Sequence, residues 1–340
     1  MRLRTSDPSK PGWRRMRHGR GFRYLSKDGK PLPSDDRDRV RALVIPPAWE
    51  DVWVCPWPNG HIQAVGTDAA GRRQYLYHTA FRERQDAAKH EHVQRVARSL
   101  PRLRQHVERD IAGRGLSRAR VLACLTRLLD LGFLRVGGDG YARDNGSFGL
   151  TTLLREHADC RGGEIRLHYP AKSGKEVTRA LVDEQAYTVV RALLRRGNPD
   201  SRLFVYWEHA EWHELHGNDL NAYLRDRSGQ DVTAKDFRTW YATVLAAVAL
   251  AVSDNTTDAS AARRSRVVAR AVREVSGYLG NTPAVCRASY IDPRVIELYD
   301  QGETIAAALG ELGRGVTFGH PATHGRVERA VLHLLGSAGP

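Results

Sequence analysis

Four side chains in this sequence share one possible chemistry. Tyr290 is a lone tyrosine in the segment LGNTPAVCRASYIDPRV (Leu279 to Val295), between a helix that ends at Gly280 and a stop at Pro293. Upstream stand three cations in distinctive settings: Arg135 in LGFLRVGGDGY, Lys172 in YPAKSGKEV and Arg238 in TAKDFRTWYAT. A phenol has an unperturbed pKa of about 10 and is a poor nucleophile at neutral pH. Two guanidiniums gripping the non-bridging oxygens of a phosphodiester would stabilise both the phenolate and the pentacoordinate state it forms. A lysine on a mobile loop can protonate the departing alkoxide. The resulting tyrosyl phosphate conserves bond energy, so a returning hydroxyl can reseal the strand with no ATP, metal or other cofactor.

These groups must be brought together by elements the sequence also signals. Ser117 is a good N-cap for a helix whose apolar face is Val121, Leu122, Leu125, Leu128 and Leu129, and Gly132 ends it, so Arg135 emerges on a glycine-rich turn. EIRLHY and EVTRALV alternate like strands joined by PAKSGK, which puts Lys172 at a hairpin tip; TTLL before them also reads as β. Helices are expected near 183–196, 216–226 and 235–251, the last carrying Arg238, and a further one shows Val268, Val272, Val275 and Leu279 on one face. Between them SDNTTDAS (Ser253 to Ser260) is a polar break. The charged helical pattern that starts at Phe81 is expected to break at Pro101 and again at Gly113 and Gly115.

The first quarter reads differently. Residues 1–20 are rich in Arg, Pro and Gly and are expected to be loosely ordered, whereas FRYL, DVWVCP, IQAVG and RQYLYH read as strands, with PNGH (Pro58 to His61) as a hairpin signal. Pro46-Pro47 must stop any helix that precedes them. The fold class is therefore α+β: a small β-rich domain over residues 1–90 and a larger, mainly α-helical domain over 91–340 with a short antiparallel sheet.

Composition narrows the partner. The chain has 340 residues, a formal charge of +14 and pI near 10, which points to a polyanion. Residues 1–90 carry 18 Lys+Arg against 10 Asp+Glu, so the first quarter holds the denser positive charge and is the better clamp for a phosphate backbone. Without a spanning apolar run or a signal peptide, no membrane role is expected and a cytoplasmic protein is favoured. The four cysteines form no CxxC pair and the 14 histidines show no ligand spacing, so no metal site is expected. Only seven lysines stand against 46 arginines, and Lys172, Lys175 and Lys235 fall close to the cationic motifs.

The motifs LGFLRVGGDGYARDNGSFGLTTL, AKSGKEV, KDFRTW and LGNTPAVCRASYIDP, in that order, resemble the type IB DNA topoisomerases of the poxvirus and bacterial kind. IPPAWEDVWVCPWPNGHIQAVGTDAAGRRQYLYH is similar to the small β domain of that family, and the resemblance covers roughly residues 20–300. It implies that Arg135 and Arg238 hold the scissile phosphate, Lys172 is the general acid and Tyr290 the nucleophile. It further implies a catalytic fold shared with tyrosine recombinases, and a nucleoid-associated monomer that clamps double-stranded DNA. Such an enzyme leaves a 3′-phosphotyrosyl link and lets the free 5′ end swivel. Two departures stand out. Asn281 occupies the place, nine residues before the tyrosine, where the poxvirus pattern has histidine; an amide can donate to a phosphate oxygen but cannot carry a proton across. Gly137, Gly138 and Gly140 follow Arg135 where the viral pattern carries lysines.

Each residue taken singly has an ordinary explanation: Tyr290 a capping or core tyrosine, Arg135 a dipole-satisfying arginine, Lys172 a solvated one, Arg238 a surface ion-pair partner. Their joint order in a basic chain is what favours catalysis. Arg72, Gln74, Tyr75 and Tyr77 alternate along a strand, with Gln74 on one face and the tyrosines on the other. The bland reading is an aromatic core face; the functional one is contact with DNA, shared by Tyr141 beside Arg135. His90 in HEHV reads as exposed helix, and Trp207 and Trp212 as packing residues. A tyrosine site-specific recombinase, built from the same catalytic types, and a non-catalytic basic DNA-binding protein are the alternatives.

Overall fold

Proline and glycine placement sets the ends of most elements. The computed structural model describes residues 2–197, 201–253, 260–310 and 323–337. It divides into two compact units, Met1–Lys89 and His90–Pro340.

The first unit contains strands β1 (Trp13–His18) and β2 (Gly21–Leu25), helix α1 (Ser34–Ala42), and strands β3 (Glu50–Val54), β4 (Ile62–Thr67) and β5 (Arg73–Tyr77). The strands form one antiparallel sheet in the order β2-β1-β3-β4-β5. Trp13, Val52, Val54 and Ala64 pack with Leu32, Val40 and Ile45 as its core. The amino-terminal segment is ordered, contrary to expectation, because its backbone groups find partners: Arg4 N donates to Asn59 O, His61 N to Arg4 O, and the Ser6 hydroxyl to Ile62 O at 3.0 Å. PNGH falls, as expected, in the connection of a hairpin, that of the antiparallel pair β3 and β4, whose last pair is Val54 with Ala64.

Helix α2 (Thr79–Ile111) follows and runs straight through Pro101, where a break was expected. An interior proline costs about 3 kcal/mol. Here Ala97, Leu100, Leu103 and Val107 are all buried on either side of it, and that burial outweighs the lost hydrogen bond. His90, expected on an exposed surface, is buried on the same helix.

The second unit continues with α3 (Arg118–Gly132), α4 (Asp139–Asn145), β6 (Ala158–Arg161), β7 (Glu164–Ala171), β8 (Lys175–Val182) and α5 (Glu184–Arg195). Next come β9 (Val205–Glu208), β10 (Glu211–Glu214), α6 (Gly217–Ser228) and α7 (Ala234–Val252). It closes with α8 (Ala261–Leu279), α9 (Pro283–Ser289), α10 (Pro293–Asp300), α11 (Ala306–Leu309) and α12 (Arg326–Ser337). β6, β7 and β8 form a three-stranded antiparallel sheet with β8 at its edge. Trp207 and Trp212 pair edge to face across the β9–β10 ribbon. The fold is thus α+β, a small β-rich unit and a larger helical one with short sheets. Of SDNTTDAS, residues 254–259 lie outside the described residues, as do 311–322 of the tail.

A buried polar network ties four helices of this unit together. Arg104 on α2 donates to Asp130 on α3 at 2.9 Å and to Glu328 on α12 at 2.6 Å. Tyr241 on α7 donates to Asp130, and Trp240 Nε1 donates to Glu328 at 3.0 Å. The Arg104 guanidinium outweighs burial and holds the Asp130 carboxyl far below the usual carboxylate range.

Candidate active site

Arg135 is presented by backbone, not by chance of side-chain reach. Ser117 caps α3, accepting from Arg120 N, and the helix ends on Phe133 in the left-handed region (φ 54°). The next residues lie against 149–152: Leu150 N donates to Arg135 O and Thr151 N to Val136 O, each at 2.7 Å. Gly137 (φ +91°) and Gly149 meet so closely that a Cβ on Gly149 would stand 2.4 Å from Gly137 N. TTLL is therefore not a strand. Leu150–Thr152 is a single helical turn in which the N–H groups of Leu150 and Thr151 are spent on the arginine loop.

Arg238 sits in the first turns of α7, buried and not on the surface. Its guanidinium donates to Phe133 O and, at 2.8 Å, to Leu279 O at the end of α8. Neither acceptor is charged, so the cation stays unneutralised. Burial and the like charge of Arg135 push its pKa down to about 10, which leaves it cationic at neutral pH.

Tyr290 caps α9, its N–H donating to Cys286 O at 3.0 Å. Pro293 does not stop a helix here; it occupies the first turn of α10, where a missing N–H costs nothing. Thr243 on α7 fastens the intervening bend: its hydroxyl accepts from Asp292 N at 3.1 Å and lies 3.4 Å from Tyr290 O. The half-buried phenol consequently lies under Arg238, whose guanidinium carbon is 5.5 Å from the ring centroid. Burial alone would raise the phenol's pKa. The Arg238 charge, then Arg135, with smaller contributions from Asn281 and the Arg238 N–H groups, outweigh it and bring the pKa below the ordinary value of 10.

Asn281 completes the set. Its side-chain oxygen accepts from Arg135 Nη2. Its Nδ2 and the Nε of Arg238 are buried and form no well-aligned hydrogen bond; the Tyr290 oxygen is the acceptor that the Asn281 and Arg238 side chains approach. Buried donors without well-aligned acceptors are uncommon in folded proteins and call for an explanation. Two such donors, two guanidiniums and a phenol of lowered pKa together make a place for an oxyanion.

Lys172 is exposed at the tip of the β7–β8 hairpin. The last pair is Ala171 with Lys175, and the three-residue loop between them turns through left-handed Ser173 (φ 66°) and Gly174 (φ 67°). Lys172, Arg135 and Arg238 line one cleft, along with Tyr169, Lys175 and Arg179. Tyr169 is a phenol that sequence reasoning passed over. It is buried, which pushes its pKa up to about 12, so it stays protonated.

The remaining candidates lie on other elements. Tyr141 is exposed on α4, which Asp139 tethers through Arg202 and through His216 at 2.9 Å. In the first unit Arg72 and Gln74 both donate to Asp68, at 3.0 and 2.9 Å, and the Arg72 contacts and then Gln74 pull its carboxyl down to about 2. Tyr75 and Tyr77 are exposed, not an aromatic core face; their rings stack 6.0 Å apart, and Phe81 continues the stack at 5.4 Å from Tyr77.

Residues 78–312 match the family described as eukaryotic DNA topoisomerase I, catalytic core, and residues 21–68 match the bacterial DNA topoisomerase IB N-terminal domain. The DNA topoisomerase 1B of Acanthamoeba polyphaga mimivirus is 30% identical over 283 residues, 81% of this chain and 83% of that protein. DNA topoisomerase I of Monkeypox virus and DNA topoisomerase 1B of Vaccinia virus (strain Copenhagen) are each 20% identical over 237 residues, 69% of this chain and 71% of theirs.

Proposed function

This chain belongs to the type IB DNA topoisomerases, and from that premise we propose that it relaxes supercoiled duplex DNA through a covalent link to Tyr290. The Tyr290 oxygen attacks the scissile phosphorus and the P–O5′ bond breaks. The phenol proton passes to solvent, and Lys172 protonates the leaving 5′ oxygen. Arg135 and Arg238 hold the non-bridging oxygens, with Asn281 Nδ2 as a neutral donor to one of them. The protein remains on the 3′ phosphate while the free 5′ end swivels. Return of the 5′ hydroxyl reverses each bond change and each proton transfer, so no ATP is consumed. The fixed cations supply the charge stabilisation that a bound metal provides in other nucleases.

The observation that carries this reading is the Tyr290 phenol under Arg238, its pKa lowered by two guanidiniums, beside buried donors that lack well-aligned acceptors. A covalent mechanism needs such an activated phenol; a DNA-binding scaffold does not. The match of residues 21–68 to a bacterial topoisomerase IB amino-terminal domain favours relaxation over recombination. Arg72, Gln74, Tyr75, Tyr77 and Tyr141 are assigned to DNA contact, and the protein acts as a monomer. No helix among the described residues is long and apolar enough to cross a membrane.

Incubation with positively and negatively supercoiled plasmid in EDTA, without ATP, tests this directly. Both should relax, and a single unpaired site should suffice. Dependence on paired target sites and a tetramer would instead identify a recombinase.

A further inference from the structure

The carboxyl end of α8 collects the cations of the site. Tyr278 O accepts from Arg179 at 2.6 Å, Leu279 O from Arg238 at 2.8 Å, Gly280 O from Lys175 at 3.4 Å, and the Asn281 side-chain oxygen from Arg135. Four consecutive residues thus hold four different cations. The physical reason lies in the helix: its last carbonyls lack intrahelical partners and carry the negative end of the macrodipole. Gly280, left-handed at φ 65°, turns the chain so that these acceptors face the cleft.

Two of the four cations come from the arginines assigned to the phosphate. The other two, Lys175 and Arg179, stand four residues apart on β8 and so project from the same face of that edge strand. β8 is the second strand of the hairpin that carries Lys172, and among the described residues these bonds lace it to the helix end. The Lys172 loop itself is exposed, three residues long and closed by the Ala171–Lys175 pair. Without an anchor, an edge hairpin of this kind would leave its tip free to sample many positions relative to the phosphate. A general acid displaced by about 1 Å loses much of its effect.

We infer that Arg179 is a positioning residue for Lys172: it fixes the hairpin to the helix end that also holds Arg135 and Arg238, and so sets the lysine's distance to the leaving oxygen. The inference rests on the proposed role of Lys172 as general acid. Arg179 touches no reacting atom. Its contribution appears only while the Lys172 Nζ–H proton moves to O5′ as the P–O5′ bond breaks. A leaving group that departs without protonation should therefore not need Arg179.

The test compares wild type, R179A, R179K and K172A in single-turnover cleavage of two DNA duplexes that differ only in a 5′ oxygen or a 5′ bridging sulfur at the scissile bond. A thiolate, with a conjugate-acid pKa near 8.5, leaves without a proton donor. On oxygen, R179A should cleave at least about 10-fold more slowly than wild type, with R179K recovering part of the loss. On sulfur, R179A and K172A should both approach the wild-type rate, which also shows that R179A is folded. An equal deficit of R179A on oxygen and sulfur, with K172A still rescued by sulfur, overturns the Arg179 assignment alone. Failure of sulfur to rescue K172A overturns the general-acid reading beneath it, and absence of any covalent adduct in wild type overturns the proposed chemistry as a whole.

Discussion

The Arg238 guanidinium lies over the Tyr290 ring, 5.5 Å from carbon to centroid, while its two terminal nitrogens are held by the carbonyls of Phe133 and Leu279. A cation fixed by neutral acceptors keeps its charge available for the phosphate and needs little reorganisation when the transition state forms. Replacing it with alanine should lower single-turnover cleavage about 10²–10³-fold. Lysine should recover only part of this, because one ammonium cannot meet both carbonyls and a phosphate oxygen as a planar fork does. Cleavage by R238A within a factor of a few of wild type would remove Arg238 from the chemistry.

The same pairing sets the ionisation of Tyr290. Its folded-state pKa lies below the ordinary 10, and Arg238 is the largest cause of the lowering. In R238A the phenol should therefore ionise at higher pH, read from phenolate absorbance as the difference between each protein and its Y290F counterpart. The linkage sign follows from a depressed acidic pKa. The associated stability is present above the unfolded value near 10 and is lost as pH falls through the folded value.

Asn281 offers a separate test. Its oxygen is engaged by Arg135 and its Nδ2 is buried without a well-aligned acceptor. N281A should slow cleavage about 10-fold by removing a neutral donor. N281D should be worse than N281A, because a carboxylate there would pair with Arg135, repel the phosphate and raise the Tyr290 pKa. Rates for the three proteins at one pH decide the order.

The Arg135 loop depends on two glycines. A Cβ on Gly149 would stand 2.4 Å from Gly137 N and 2.7 Å from Arg135 O, both backbone atoms that cannot move aside alone. G149A should destabilise by about 1–3 kcal/mol and slow cleavage together, measured by thermal unfolding and by single-turnover rate.

Stability of the second unit should respond to the network beneath the site. Arg104 bridges Asp130 and Glu328, whose side chains are 4% and 7% exposed. R104M takes the shared cation from two buried carboxylates, which keep Tyr241 and Trp240 as donors, at a cost of about 3–5 kcal/mol in urea unfolding. A loss under about 1 kcal/mol would mean that the network is solvated or repacks.

What the sequence made visible was local. The α3 cap at Ser117, the apolar face that follows it and the strand pair around Lys172 are written in side chains at fixed spacing, and they emerge at the expected places. The continuity of α2 through Pro101 was hidden, because it depends on burial contributed by distant elements. The role of Leu150–Thr152 was hidden for a related reason: its backbone N–H groups support Arg135, and backbone donors leave no signature in residue type. The acceptors at 278–281 are mostly carbonyls and were equally invisible. Arg179 could have been noticed only as a cation four residues after Lys175 on the same strand face, a weak signal until the helix end opposite it is known.

The proposed chemistry turns on a single bond between the Tyr290 oxygen and a 3′ phosphorus. Wild-type protein should be mixed with nicked or suicide DNA, quenched in denaturant, digested with trypsin and mapped by mass spectrometry. The predicted result is a nucleotide adduct on Tyr290, carried on the 3′ side of the break, and none in Y290F. An adduct on any other residue, a 5′ linkage, or covalent complex formed undiminished by Y290F would contradict it.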